Sequence, residues 1–266
     1  MITLVTWLAL WSGAAAPPPG AAIPRDPATL AGRLETTSRD LRVAVTRWRA
    51  SGLSATTPLD VTLDALYQQR IYIVLTERPA LAKAVLTLLP AATARVARSE
   101  VLARRELARL SKPGRLSAFR TGPAAPPLRL RAYYREAEGR FHVGWNVLAA
   151  VNYVESAFNK LRNASTAGAQ GPMQFIRPTW RAYGLGGDVH NPHDAILGAA
   201  NYLHASGAPG DYHRALFHYN PSLFYVDAVL RYARMIRADP QAFYVLYSRQ
   251  VFVRTGHGLV RLTGPR

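Results

Sequence analysis

The sequence predicts a mainly α-helical protein that closes on a short β-hairpin, and three observations carry that prediction. Apolar residues recur three, four or seven apart over much of the chain between Asp26 and Ile236, which is the spacing of a helix face. Prolines and glycines gather in a few short stretches instead of interrupting those faces. Only the last segment, Phe243 to Leu262, turns β-branched and aromatic around a Thr-Gly-His-Gly turn. With 266 residues, 49% of them hydrophobic, the chain is long enough to bury one large core or two modest ones.

Taken in order, residues 1–24 combine an apolar run, Ile2 to Trp11, with small residues and a Pro/Ala/Gly-rich spacer. This resembles the core and cleavage site of an export signal, without a basic leader and too short to span a bilayer, and it predicts a secreted or cell-envelope protein. Residues 25–120 read as a helical N-terminal region of unassigned role. Leu30, Leu34, Leu41, Val45 and Trp48 fall on one face, and Leu63, Leu66, Ile71, Ile73 and Leu75 make a second helix that Pro79 ends or follows. The Arg-rich run Ala94–Lys112 places Val96, Val101, Leu107 and Leu110 on its apolar side. Residues 121–127, with three prolines, read as a linker. Residues 128–238 form a second helical domain: a helix from Arg131 to Phe158, a glycine-punctuated stretch from Ala167 to Gly187, and helices over about Ala195–Ser206 and Tyr225–Ile236. Residues 239–266 are the hairpin and tail.

Thirty-three Lys and Arg against 16 Asp and Glu give a formal charge of +17, which draws the chain toward polyanions, an acidic cell wall or membrane surface among them. No finger, RNA-recognition or helix-turn-helix signature accompanies the charge, so nucleic acid is not expected as a partner. Without cysteine there is no disulfide framework, thiolate metal site or thiol nucleophile. Asp188, His190, Asn191, His193 and Asp194 cluster in sequence but match no ligand spacing, so neither metal nor cofactor is expected; Asp194 reads as an N-cap. Nothing indicates the oligomeric state.

Chemistry enters at Glu155. It shares the stripe Leu148, Val151, Phe158, and a carboxyl among apolar neighbours loses hydration, so its pKa rises toward the range where it can donate a proton near neutrality. A glutamate tilted to solvent at a helix rim satisfies the spacing equally well. The residues that follow separate the two. Glu155-Ser156 precedes Phe158, Ser165, Gly168-Ala169, Gly171, Met173-Gln174, Pro178 and Thr179, and farther on come Asp194-Ala195-Ile196, Ala215-Leu216, Tyr219-Asn220 and Tyr225-Val226.

This ordered set, over about Val143 to Ile236, closely resembles the catalytic domain of soluble lytic transglycosylases and goose-type lysozymes. The resemblance implies a lysozyme-like α-helical fold and action on peptidoglycan glycan strands. Glu155 then corresponds to the single catalytic acid/base, and Ser165, Met173, Gln174, Tyr219, Asn220 and Tyr225 to substrate-binding positions. Two carboxylates serve most glycosidases; the motif holds one. That fits lytic transglycosylation, in which the sugar's N-acetyl group assists and a 1,6-anhydromuramyl end forms. A hydrolytic lysozyme and a non-catalytic glycan-binding module remain open alternatives. Pro172 stands where many members have Leu, a form shared with other subgroups and actinobacterial cell-wall proteins. Ile176, in place of Met, and Pro221-Ser222, after Asn220, also depart from the pattern.

Overall fold

Proline sets many of the helix starts. It occupies the first turn of five helices, where a missing N–H costs nothing and its fixed φ is already helical. A computed structural model describes residues 15–53, 56–165 and 167–265, so most of the signal-like segment lies outside the described residues. Eleven α-helices and one hairpin follow in order among them: α1 Pro27–Ala50, α2 Leu59–Glu77, α3 Pro79–Leu88, α4 Ala91–Leu110, α5 Pro127–Phe141, α6 Trp145–Ser156, α7 Arg177–Tyr183, α8 Pro192–Ala205, α9 Tyr212–Tyr219, α10 Leu223–Ala238, α11 Gln241–Ser248, β1 Phe252–Thr255 and β2 Gly258–Arg261. The strands pair antiparallel, Val253 opposite Val260 and Thr255 opposite Gly258. The mainly α fold with a C-terminal hairpin is as predicted, and no described helix is long and apolar enough to cross a membrane.

Several boundaries differ from the sequence reading. The helix expected over Arg131–Phe158 breaks at His142, whose φ of +58° is left-handed. The buried Val143 that follows lets α6 start in a new direction, with its first N–H groups free for Glu138, whose side chain accepts from Trp145 N at 3.0 Å. The hairpin is shorter than expected, because Gln241–Ser248 is helical: its aromatic residues pack into the core, and that burial overrides their strand preference. Helices α7 and α9 were not expected. On α4 the packed face is Ala97, Glu100, Val101 and Ala103, whereas Val96 and Leu110 are exposed. Small alanines let that face approach its neighbour closely, which a search for large apolar residues does not detect. Asp194 is not the N-cap of α8: Asn191 caps it by accepting from His193 N at 2.9 Å, and Asp194 instead accepts the Asp188 N–H at 2.9 Å.

The larger core runs across the Pro-rich segment. It joins Leu41, Val45 and Trp48 of α1 to Leu148, Val151, Tyr225, Val229 and Phe243, so the N-terminal helices and the later ones bury each other's apolar faces. A smaller core holds Leu30, Leu34, Ile71, Leu75 and Val85. Each such side chain, fully buried, contributes about 1.5–3 kcal/mol before entropy is counted. Helix α4 lies along α10, and α1 along α2.

One polar cluster sits where these parts meet. Glu100 of α4 is fully buried, and its Oε1 accepts from Arg249 Nη1 at 2.6 Å, Arg104 Nε at 2.7 Å and Tyr232 Oη at 3.3 Å. Burial alone would raise its carboxyl, but the two guanidiniums outweigh that and hold it below the usual range. Arg249 Nη1 also donates to Tyr153 Oη at 3.3 Å, so the cluster reaches the helix that carries Glu155. Replacing Arg249 leaves a buried carboxylate with only Arg104 to compensate it. Arg249→Met should therefore lower unfolding free energy by about 3 kcal/mol in urea titration; a loss below about 1 kcal/mol would show that the pair is not structurally important.

Candidate active site

Helix α6 positions Glu155 by where it stops. Its last residue is Ser156, and the next three, Ala157, Phe158 and Asn159, have φ of +50°, +63° and +68°. Left-handed backbone at non-glycine residues costs roughly 1–3 kcal/mol each, so the surroundings must impose it. A junction around one carbonyl does so. Pro172 O accepts from Ser156 Oγ at 2.6 Å and from Asn152 Nδ2 at 2.8 Å, while Ser156 Oγ accepts the Asn159 N–H at 2.8 Å. Tyr134 Oη, donating to Asn152 Oδ1 at 2.6 Å, orients that amide. Phe158 fills the core beneath, edge-on to Phe243 with centroids 5.5 Å apart. It is fully buried, so this motif aromatic packs in the core and presents no ring to a ligand.

The segment that provides this carbonyl is itself a tight loop. Gln170 and Phe175 exchange two backbone hydrogen bonds of 2.9 Å, and Gly171 makes the turn at φ +75°. A Cβ at Gly171 would lie 1.9 Å from the Val189 carbonyl oxygen, so only glycine fits.

Glu155 itself is half-buried, and Tyr225 Oη donates to its Oε1 at 2.7 Å. Burial pushes the Glu155 carboxyl up to about 7, with the Tyr225 hydrogen bond pulling weakly the other way. Half the group thus carries a proton near neutral pH, the condition for a general acid that can also act as base. Tyr219 lies parallel to Tyr225, with centroids 6.4 Å apart and 3° between planes, and its hydroxyl donates to Met173 O at 2.6 Å.

The other expected substrate-binding residues are placed unequally. Gln174 has φ +50°, and its Nε2 donates to Gly171 O at 3.0 Å and Asn163 O at 3.1 Å, leaving Oε1 as its open acceptor. Ser165 Oγ accepts the Ala169 N–H at 3.0 Å and the Ala167 N–H at 3.2 Å, which shapes the glycine-punctuated turn. Met173 is fully buried, so its side chain packs and only its carbonyl is used. Asn220 ends α9, its N–H donating to Leu216 O at 2.9 Å, and its side chain makes no hydrogen bond among the described residues.

Glu155 also lines a cleft of about 330 Å³, whose walls come partly from its own neighbourhood, Val154, Ser156, Ala157, Leu161 and Tyr232, and partly from outside the motif: α2, the end of α4, and the hairpin. Tyr153, Lys112, Arg104, Arg254 and a second carboxylate, Glu77, line it as well. Apart from Tyr153, none of these was legible from the motif, since Glu77, Arg104 and Lys112 precede it and Arg254 follows it. No group of three or more His, Asp or Glu side chains able to hold a metal occurs among the described residues.

Residues 132–236 match the family model of the transglycosylase SLT domain. The chain is 36% identical over 74 residues to membrane-bound lytic murein transglycosylase F of Thiobacillus denitrificans, a match covering 28% of this chain and 15% of that protein. It is 30% identical over 148 residues to membrane-bound lytic murein transglycosylase F 1 of Alkalilimnicola ehrlichii, covering 50% of this chain and 30% of that protein. The matched stretches thus span less than a third of either relative. The actinobacterial affinity suggested by Pro172 finds no support in them. No solved structure matches.

The sign of the Tyr225 contact is testable. Its hydrogen bond favours the charged carboxylate, so removing it raises the carboxyl further, above about 7. Activity that needs protonated Glu155 falls as pH rises through that value. Tyr225→Phe should therefore move the alkaline limb of a pH–rate profile upward, by up to about one unit. A limb that moves down would contradict the assignment.

Proposed function

We propose, from the premise that residues 132–236 are a transglycosylase SLT domain, that the chain cleaves the β-1,4 bond between N-acetylmuramyl and N-acetylglucosaminyl units of peptidoglycan, with Glu155 as its acid/base. The observation that carries this is the carboxyl of Glu155, raised to about 7 by burial and oriented by Tyr225 at 2.7 Å beside an open cleft.

The chemistry follows from that one group. Protonated Glu155 gives its proton to the glycosidic oxygen as the C1–O bond breaks, and the muramyl N-acetyl oxygen closes on C1 to hold the positive charge. The Glu155 carboxylate then takes the proton of the C6 hydroxyl, O6 replaces the acetamido oxygen at C1, and a 1,6-anhydro ring results. No water enters, and the glutamate ends protonated as it began. Of the substrate positions, Tyr225 holds the carboxyl, Gln174 offers Oε1 to an amide or hydroxyl, and Asn220 has a free amide beside it in the motif. Ser165, Met173 and Tyr219 act through the backbone they brace. The basic surface draws the protein to an acidic wall polymer, and the relatives' membrane-bound names fit a place in the cell envelope.

Glu77 gives a second reading a definite form. As another carboxylate lining the cleft, it is the group that would activate water if the enzyme were a hydrolytic muramidase. Purified sacculi decide between them. Wild-type protein should release fragments ending in anhydromuramic acid, Glu155→Gln should release at least a hundredfold less, and Glu77→Gln should release them as before. Fragments heavier by one water, lost with Glu77→Gln, would establish hydrolysis instead; no release by folded wild type, with sacculus binding retained, would leave a glycan-binding module.

A further inference from the structure

The cleft beside Glu155 is only partly made by the SLT domain. Its remaining walls are held in place by contacts that reach across the chain. Gln69 of α2 and Gln250, just before β1, clasp each other: Gln69 Nε2 donates to Gln250 O at 2.9 Å and Gln250 N to Gln69 Oε1 at 2.9 Å. The Gly114 N–H donates to Arg254 O at 2.9 Å, tying the chain after α4 to β1. The end of α4 and the hairpin therefore form one braced wall.

Two cations on that wall have no counterion. Lys112 is exposed, and Arg254 is half-buried, its Nε sequestered from solvent and without a hydrogen-bond partner. Neither forms an ion pair among the described residues, although both line the cleft with Glu155. Three other carboxyl or guanidinium groups face the cleft among the described residues. Arg104 is committed to Glu100 at 2.7 Å, Glu155 is half protonated near neutrality, and Glu77 is the other carboxylate. A guanidinium kept partly out of water without an anion is costly unless a ligand supplies one, and a planar guanidinium beside an ammonium suits a carboxylate.

We propose that Lys112 and Arg254 form a carboxylate-binding subsite, outside the SLT domain, that engages an acidic substituent of the muramyl unit while its glycosidic bond lies at Glu155. This rests on the reading of the cleft as the glycan site. The carboxylate comes either from the peptide stem or, on stem-free strands, from the muramyl lactyl group; in both cases the subsite selects muramyl-containing strands over neutral N-acetylglucosamine chains.

Binding to full-length Glu155→Gln protein tests this without turnover, with three probes: stem-bearing soluble glycan strands, the same strands after amidase treatment, and neutral N-acetylglucosamine oligomers. Adding Lys112→Ala and Arg254→Ala should weaken binding of at least one acidic strand about tenfold, with that difference fading at high salt. Binding of the neutral oligomer and the thermal midpoint should stay unchanged. Loss only with stem-bearing strands assigns the peptide carboxylate, loss only with amidase-treated strands assigns the lactyl carboxylate, and loss with both shows that the subsite takes either. Unchanged affinity for both acidic strands, or equal weakening of the neutral oligomer, overturns the proposal. Because Glu155→Gln is the background throughout, a failure of the acid/base assignment would show in sacculus cleavage and not here.

Discussion

Everything at the site depends on one carbonyl. Pro172 O, accepting from both Ser156 and Asn152, ends α6 one residue after Glu155 and forces three successive left-handed residues into place. Without that junction the helix would fray or continue, and Glu155 would find either water or the core. With it, the carboxyl sits at a depth where it loses enough hydration to keep a proton near neutrality yet still reaches a cleft. The glycine at 171 belongs to the same constraint, because the loop that offers the carbonyl can close only where the Val189 backbone meets no Cβ.

The rest of the fold divides its charges between two tasks. Inside, Glu100 absorbs Arg104 and Arg249 and joins α4, α10 and the C-terminal segment in a single buried cluster. At the cleft, Lys112 and Arg254 form no ion pair among the described residues. A formal charge of +17 says that cations are in excess; only the fold says which are spent on structure and which face a ligand. Tyr153 connects the two, since it touches Arg249 and lies two residues before Glu155.

Much of this was legible before any coordinates, and the reasons differ by residue. Glu155 could be read because its apolar stripe and the ordered motif around it are local in sequence, and the raised carboxyl follows from that stripe. The break at His142 puts its left-handed residue at a histidine, not at Gly139 or Gly144 on either side, so periodicity runs straight through it. Helix α11 is misread for the converse reason: its aromatic residues favour strands until the core offers them a helical place. Phe158 and Met173 sit in the motif but serve packing, which shows that a motif marks positions that matter without saying whether they touch a ligand. The cleft's far wall could not be read at all, because Gln69, Gly114 and Arg254 meet only through the fold.

Acid/base chemistry at this site stands or falls on the protonation of one group. A carbon-13 NMR titration of the glutamate side-chain carboxyls, with Glu155 assigned by its loss in Glu155→Gln, measures it directly. Burial beside Tyr225 predicts an apparent pKa near 7 for Glu155. A value near 4.5, the ordinary glutamate range, would mean that the carboxyl is solvated and charged at neutral pH, and the single acid/base mechanism would lose its acid.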